Sequence, residues 1–458
     1  MTLARRIRSR LLRSPLRVAV VDDRKAWRGY ELLLGSLHLR KAIAARSGAP
    51  RIGIMLPTSG LFPMAIEAIW SLGRTAVPLN YLLNAEELAF IVEDAELDLV
   101  VTVGPLVEMV GGLPPQVTQL RLEEQRFRGL PPLRGIEPLP AEAPAVILYT
   151  SGTSGRPKGV MLSDANLSAN IEQCSRWAAF TRRDVLLGVL PQFHSFGLTV
   201  LTLLPLVAGC KAIYTARFIP KKLIDLAVEH RPTAFVAIPS MFNALRLVRS
   251  APADAFASLR YAVSGGEPLP DAVAAGFREK FGVTIDEGYG LTETGPVANW
   301  CRPQEHRPHS VGRPLTGVEE RIVAPDGSLC PAGADGEVRI RGANVMKGYF
   351  KRPEESAAAF DEEGFLRTGD MGRFDEDGFL YITGRIKEML IIAGENVFPR
   401  EIEEVLAGHP SVKDAAVIGM PDESRGEVAL AFVELVEGAS FDETALRSHC
   451  RRTLAGYK

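Results

Sequence analysis

The sequence predicts an α/β protein. Its large N-terminal domain has helix-covered, mostly parallel sheets and a small β-barrel-like subdomain, and a small α+β C-terminal domain follows. Three observations lead there. Short apolar runs alternate with helix-periodic segments over residues 18–102 and again beyond 163, the pattern of parallel strands joined by helical crossovers. Hairpin punctuation replaces that alternation over 311–383. At 384–388 the texture shifts once more, which predicts a first domain over 1–386 and a second over 387–458.

Taken in order, 51–56 reads as a strand, 61–72 as a helix, 76–79 as a short strand, 86–94 as a helix and 97–102 as a strand. Residues 111–144, rich in Pro, Gly and charge, read as a surface connection. A buried strand over 145–149 then feeds a Gly/Ser/Thr loop, and Ser163 can cap a helix starting near Ala165. Strands at 185–190, 233–238, 259–263 and 283–287 each run into a polar or Gly-rich turn, with Ser240 capping one following helix and Asp271 beginning the next. Turns at 325–328 and 375–378 separate the half-buried strands of the β-rich part, and Thr368-Gly369-Asp370 punctuates it. The tail carries strands at 389–392, 412–418 and 428–435 and helices at 399–406 and 444–454.

With 458 residues, 46% of them hydrophobic, the chain can bury more than one core. A net charge of −2 leaves no electrostatic footprint for nucleic acid. The five cysteines form no C-x-x-C pair, which argues against zinc and a disulfide framework and favours a reducing, cytoplasmic compartment. The richest apolar run, 196–210, is too short to span a membrane and is interrupted by Pro205. The arginines at 5, 6, 8, 10, 13 and 17 interleave with leucines and isoleucine. Such a segment is commonly a solvated leading helix, and peripheral contact with an anionic membrane is the alternative.

The chemistry-bearing stretch is YTSGTSGRPKGV, 149–160. Small residues let backbone N–H groups approach a ligand, and hydroxyls with one ammonium complete an anion cradle, so the loop is read as a phosphate grip. It is not a Walker A loop, because Lys158 is followed by Gly159 rather than Ser or Thr. The turns at 264–268 (SGGEP) and 288–294 (GYGLTET) fall beyond strand ends, where α/β sheets bind ligands. Tyr289 offers a flat face for a base, and Glu293 a hard oxygen for Mg²⁺. Read singly, either turn is equally an ordinary β–α connection. His194, at the mouth between a strand and an apolar helix, can line a pocket or simply cap the helix. Asp370 can accept from both hydroxyls of a ribose or merely stabilise its turn.

With these segments in this order (the loop, PQFH, SGGEP, GYGLTET, GEVRIRG, TGD, GRIKEMLIIAGEN and VFPREIE), the chain resembles the adenylate-forming superfamily, and within it the acyl-CoA synthetases. The resemblance implies ATP-dependent activation of a carboxylic acid to an acyl-adenylate with release of pyrophosphate. Transfer to the thiol of CoA then releases AMP. Thr150, Ser151, Gly152, Thr153, Ser154, Gly155 and Lys158 would hold the β/γ-phosphates. Gly265, Gly266, Glu267, Gly288, Tyr289 and Gly290 would frame adenine, Thr292 would touch the α-phosphate and Glu293 would hold Mg²⁺. Asp370 would bind the ribose with Arg385 beside it, and Lys387 would be the hinge of a C-terminal lid. Gly394, Glu395 and Asn396 would enter the site for thioester formation, and His194 would gate the acyl tunnel. Thr292, Glu293, His194 and Lys158 are therefore the catalytic candidates.

One departure bears on activity. The family's catalytic Lys, in a Gly-Lys motif, would fall roughly twenty-five residues past Lys458, so the expectation is a truncated lid lacking it. That opens a reading from another class, a non-catalytic binder of nucleotide or acyl-adenylate. For the ligase, Phe193, Phe196, Leu198, Phe235, Ile238, Met241 and Phe242 are candidate apolar pocket walls suggesting a fatty acid. An aryl acid, or an acyl-carrier protein as the thiol partner, is the alternative.

Overall fold

A computed structural model describes residues 1–127, 129–140, 143–150, 156–392, 395–422 and 426–455. The chain divides into two compact units, one of residues 1–319 and 341–364, the other of 320–340 and 365–458. Residues 320–340 and 365–383 of the β-rich segment thus group with the tail, and position 386 falls inside the second unit.

The first unit holds two large sheets. One has six strands in the order Thr118–Arg121, Leu99–Thr102, Arg51–Met55, Thr75–Pro78, Val146–Thr150 and Lys158–Leu162. The other has eight, in the order Val297–Trp300, Asp286–Gly290, Tyr261–Ser264, Ala234–Ala237, Val185–Gly188, Lys211–Tyr214, Val18–Val21 and Ala26–Arg28. Interior neighbours run parallel, whereas the last pair of the six-stranded sheet and both end pairs of the eight-stranded one are antiparallel. The central strands are buried along their whole length, as expected of strands covered on both faces.

Val185–Gly188 lies between Lys211–Tyr214 and Ala234–Ala237, so the strand order reverses at its carboxyl end. That is a topological switch point, the position where open α/β sheets form a ligand crevice. The turn 191–194 begins there.

Phe235, Phe242, Phe256 and Phe277 form the aromatic centre of one core, and Val77, Val100, Leu88 and Ile147 belong to the core of the other sheet. The leading helix, Leu3–Arg13, is docked rather than solvated all round: Leu3, Ala4, Ile7 and Leu11 are buried. Arg8 pairs with Glu67 at 2.7 Å and Arg6 with Glu172 at 2.8 Å. Among the described residues, no helix is long and apolar enough to cross a membrane.

Most of the four-stranded sheet Val318–Val323, Gly336–Gly342, Leu366–Phe374 and Leu380–Arg385 falls in the second unit. Its tail has a second four-stranded sheet and the helices Pro399–Ala407 and Glu443–Thr453, with Leu390, Ile402, Val417 and Leu446 at the core.

Three local expectations are corrected. Ser240 does not cap its helix: Pro239–Arg246 starts one residue earlier, after Ile238, with no side-chain cap. Gly288, Tyr289 and Gly290 lie within the strand Asp286–Gly290, paired with Val297–Trp300, rather than in a loop after it. Asp370 likewise sits within the strand Leu366–Phe374. Glycine reads as turn chemistry, but in these strands it permits close backbone approach. A Cβ on Gly290 would stand 1.9 Å from the Pro296 carbonyl oxygen.

Candidate active site

The Gly/Ser/Thr loop joins an antiparallel pair in which Thr150 faces Lys158. Ser151, Gly152, Thr153, Ser154 and Gly155 lie outside the described residues, so the structure reports on the loop's two ends. The Lys158 ammonium makes an ion pair with Glu355 and lies 5.5 Å from the centre of the Tyr349 ring. The Tyr349 hydroxyl donates to Glu293 Oε1 at 3.0 Å. Burial and the neighbouring carboxylate raise the Tyr349 pKa, so the phenol stays a donor. Lys158 and Glu293, 135 positions apart by their numbers in the chain, are thus gathered around one tyrosine.

Segment 344–350 makes this possible by lacing two elements together. The Phe350 amide donates to the Gly159 carbonyl at 2.7 Å and Lys347 to Met161 at 2.9 Å. Met346 donates to Glu293 at 2.8 Å, and the buried Asn344 side chain donates to the Thr294 carbonyl at 2.8 Å. Neither Asn344 nor Tyr349 was a sequence candidate. The run GANVMKGYF, with its glycines and aromatics just past a strand, is the signal that could have found them.

A cavity of about 180 Å³ opens beside this cluster. Gly265, Gly266, Gly288, Tyr289 and Gly290 form one side, Ser195 and Thr292 another, and Phe196, Val200, Val236, Val263, Val297 and Trp300 the apolar remainder. The Ser195 and Thr292 hydroxyls are 3.2 Å apart. Gly266 has φ +88°, a left-handed conformation that favours glycine. Glu267 is exposed beyond the turn and is not among the lining residues.

Of the seven apolar candidates, Phe196 alone is a lining residue, which corrects the expected pocket walls. Phe235 and Phe242 point into the core, with Met241 packed against it, and Phe193 stacks edge-on against Tyr81 at 4.8 Å. The reason is strand parity. Phe235 and Val236 face opposite sides of the sheet, and the smaller residue took the cavity side.

His194 stands at the start of the helix Ser195–Leu198 without making a side-chain cap. Its ring packs on Phe193 at 4.6 Å, and the protein atoms crowded around it lower its pKa, although an edge stays open to solvent. The turn that carries it is anchored by Gln192, which is 1% exposed. Gln192 accepts from the Ser59 amide at 2.9 Å and donates to Thr202 at 3.0 Å.

The second unit carries the remaining candidates. Asp370, 3% exposed, pairs with Arg385 at 3.0 Å from the facing strand, and its amide donates to Thr368. Lys387 is exposed on the short turn Ile386–Glu388. Gly394 and Lys458 lie outside the described residues; Glu395 and Asn396 contribute backbone to the strand Glu395–Val397.

Mg²⁺ is bound through one or two carboxylates plus substrate phosphates rather than by an all-protein cage. Glu293, oriented by Tyr349, suits that role. Among the described residues no cluster of three or more His, Cys, Asp or Glu could hold a metal by itself.

The family model of the AMP-binding enzymes matches residues 8–350, and that of their C-terminal domain matches 401–458. The chain is 34% identical over 436 residues to a sulfoacetate–CoA ligase of Cupriavidus necator, covering 93% of this chain and 85% of that protein. It is 37% identical to a long-chain-fatty-acid–CoA ligase of Bacillus subtilis, covering 69% of this chain and 57% of that relative. The crystal structure of ATP-bound MatB from Rhodopseudomonas palustris superposes with a TM-score of 0.90 at 30% identity, covering 100% of this chain and 93% of that one. With fold, motifs and site in agreement, the chain belongs to the AMP-binding, adenylate-forming enzyme family, among its acyl-CoA synthetases.

Proposed function

We propose that the protein activates an apolar carboxylic acid, fatty or aryl, with ATP and passes it to CoA, an acyl-carrier protein being the alternative thiol. In the first step a carboxylate oxygen bonds to the α-phosphorus and the bond to pyrophosphate breaks. In the second a thiolate sulfur bonds to the acyl carbon and AMP leaves with the electron pair of the C–O bond. The observation that carries this reading is the gathering of Lys158 and Glu293 on Tyr349 at the edge of an apolar cavity that includes Thr292. Such chemistry needs positioning and charge neutralisation more than covalent help from the protein.

Lys158 would lie along the phosphates once released from Glu355. Thr292 and Ser195 would offer hydroxyls near the α-phosphate, and Tyr289 with the glycines would flank adenine. Mg²⁺, when bound at Glu293, neutralises phosphate charge. Asp370 with Arg385 is the proposed ribose clamp and Lys387 the proposed hinge, dividing the chain functionally into 1–386 and 387–458. Neutral His194 would border the acid without adding a charge.

Pyrophosphate release across a panel of acids tests this. Turnover that depends on ATP and Mg²⁺ is expected, and Lys158→Ala should raise KM for ATP by tenfold or more, about 1.4 kcal/mol. ATP binding with no turnover for any acid would favour the non-catalytic binder. An unchanged KM in Lys158→Ala would remove the lysine from the phosphate site.

A further inference from the structure

We propose that this site selects a compact acid with no charge beyond its reacting carboxylate, a single-ring aryl or short branched acid, over long-chain or dianionic acids. The proposal rests on the ligase reading above and narrows its substrate.

Size is the first argument. An apolar cavity of about 150 Å³ takes up one benzene ring. The cavity here measures about 180 Å³ in all, the room of about one ring beside Thr292. A long acyl chain needs several times that space.

Rigidity is the second, because a small cavity matters only if its walls hold. Trp300, 4% exposed, packs edge-on against Tyr261 at 5.3 Å and beside Phe180 at 6.0 Å, and its carbonyl accepts from Trp177 at 2.8 Å. Val236 and Val263 are register neighbours on adjacent strands, stiff at their branched Cβ. Phe196 is pressed over Gly265, where a Cβ would stand 3.1 Å from the ring. Trp300, Val236 and Val263 therefore have little freedom to swing open.

Charge is the third. Among the described residues the side chains lining the cavity are uncharged, and their polar groups belong to Ser195, Tyr289, Thr292, Asn299 and the Trp300 indole, whose buried N–H makes no hydrogen bond. A distal sulfonate or second carboxylate would be buried among valine and proline, with the Trp300 indole N–H as a donor but no cation among the described lining residues, a costly placement. Similarity to a sulfoacetate–CoA ligase therefore does not carry sulfoacetate over to this chain.

The test uses the full chain and non-reacting N-acylsulfamoyl adenosines bearing benzoyl, isobutyryl, palmitoyl or sulfoacetyl groups. Calorimetry reads their affinity, and pyrophosphate release is read in parallel with the free acids. Benzoyl and isobutyryl analogues should bind about tenfold or more tightly than the other two, with the same order in turnover. Palmitoyl or sulfoacetyl binding as tight as benzoyl overturns the proposal. Ordered binding without turnover sinks the ligase reading and leaves the selectivity standing, whereas best turnover with palmitate does the reverse. Binding of none of the analogues sinks both. Trp300→Leu, in which the wall recedes, should shift preference toward an octanoyl analogue about fivefold or more. No shift in a folded Trp300→Leu variant removes Trp300 as the limiting wall, and should the variant not fold, the wild-type series decides alone.

Discussion

Tyr349 shows how much can hang on one hydroxyl. It donates to the carboxylate proposed to hold Mg²⁺ while its ring lies near the proposed phosphate lysine. Groups that orient a metal ligand contribute about 10–100-fold to affinity or activity. Tyr349→Phe keeps the ring and should raise the Mg²⁺ concentration giving half-maximal pyrophosphate release about tenfold, with little change in melting temperature. An unchanged Mg²⁺ dependence would leave Tyr349 as packing only. Asp286 carries a separate prediction. It is buried at the start of the Tyr289 strand and accepts from or donates to His306 at 2.9 Å, and burial pushes its pKa up to about 6 despite that partner. A carboxyl raised in the folded state adds stability below its unfolded pKa and loses it as pH rises through the folded value. The stability of the protein relative to Asp286→Asn should therefore fall as pH rises from about 4 to about 6. Parallel pH dependences of melting for the two proteins would contradict the assignment.

The turn 191–198 is the element on which the crevice depends. It leaves the central strand where the strand order reverses, and it carries His194, Ser195 and Phe196 together. Gln192 holds it through the Ser59 amide and Thr202, and Thr202 in turn donates to the Gly197 carbonyl at 2.9 Å. Leucine at 192 fits the volume but leaves a buried amide unsatisfied, which costs about 1–3 kcal/mol. Gln192→Leu should accordingly lower thermal stability and raise KM for the acid more than KM for ATP. An equal rise in both would mean that the network supports the fold without positioning the turn. The apolar π-helical turn Thr199–Leu203 that follows was legible as an apolar helix, but its altered pitch was not, since residue type does not specify it.

At the scale of the molecule, Lys387 lies on an exposed turn beside the Asp370–Arg385 pair's strand. If it is the hinge, Lys387→Pro, which fixes one backbone torsion, should slow thioester formation at least about tenfold more than adenylation. Equal loss in both half-reactions would mean that the torsion is not used. The sequence alone determined the alternation of strands and helices, the Gly/Ser/Thr loop with its lysine, and the order of segments that places the chain in its family, because periodicity and glycine-rich turns are local properties. It also singled out Lys158, Thr292 and Glu293 as candidates, whose chemistry is unusual enough to stand out in one dimension. Tertiary structure decided what those residues meet. Tyr349 reaches Glu293 because segment 344–350 is laced to two elements distant in sequence. Val236 rather than Phe235 borders the cavity because pairing register sets which side of a strand faces the core. Whether an apolar residue is a pocket wall or a core residue depends on a neighbour's packing, and no local pattern in the chain encodes that.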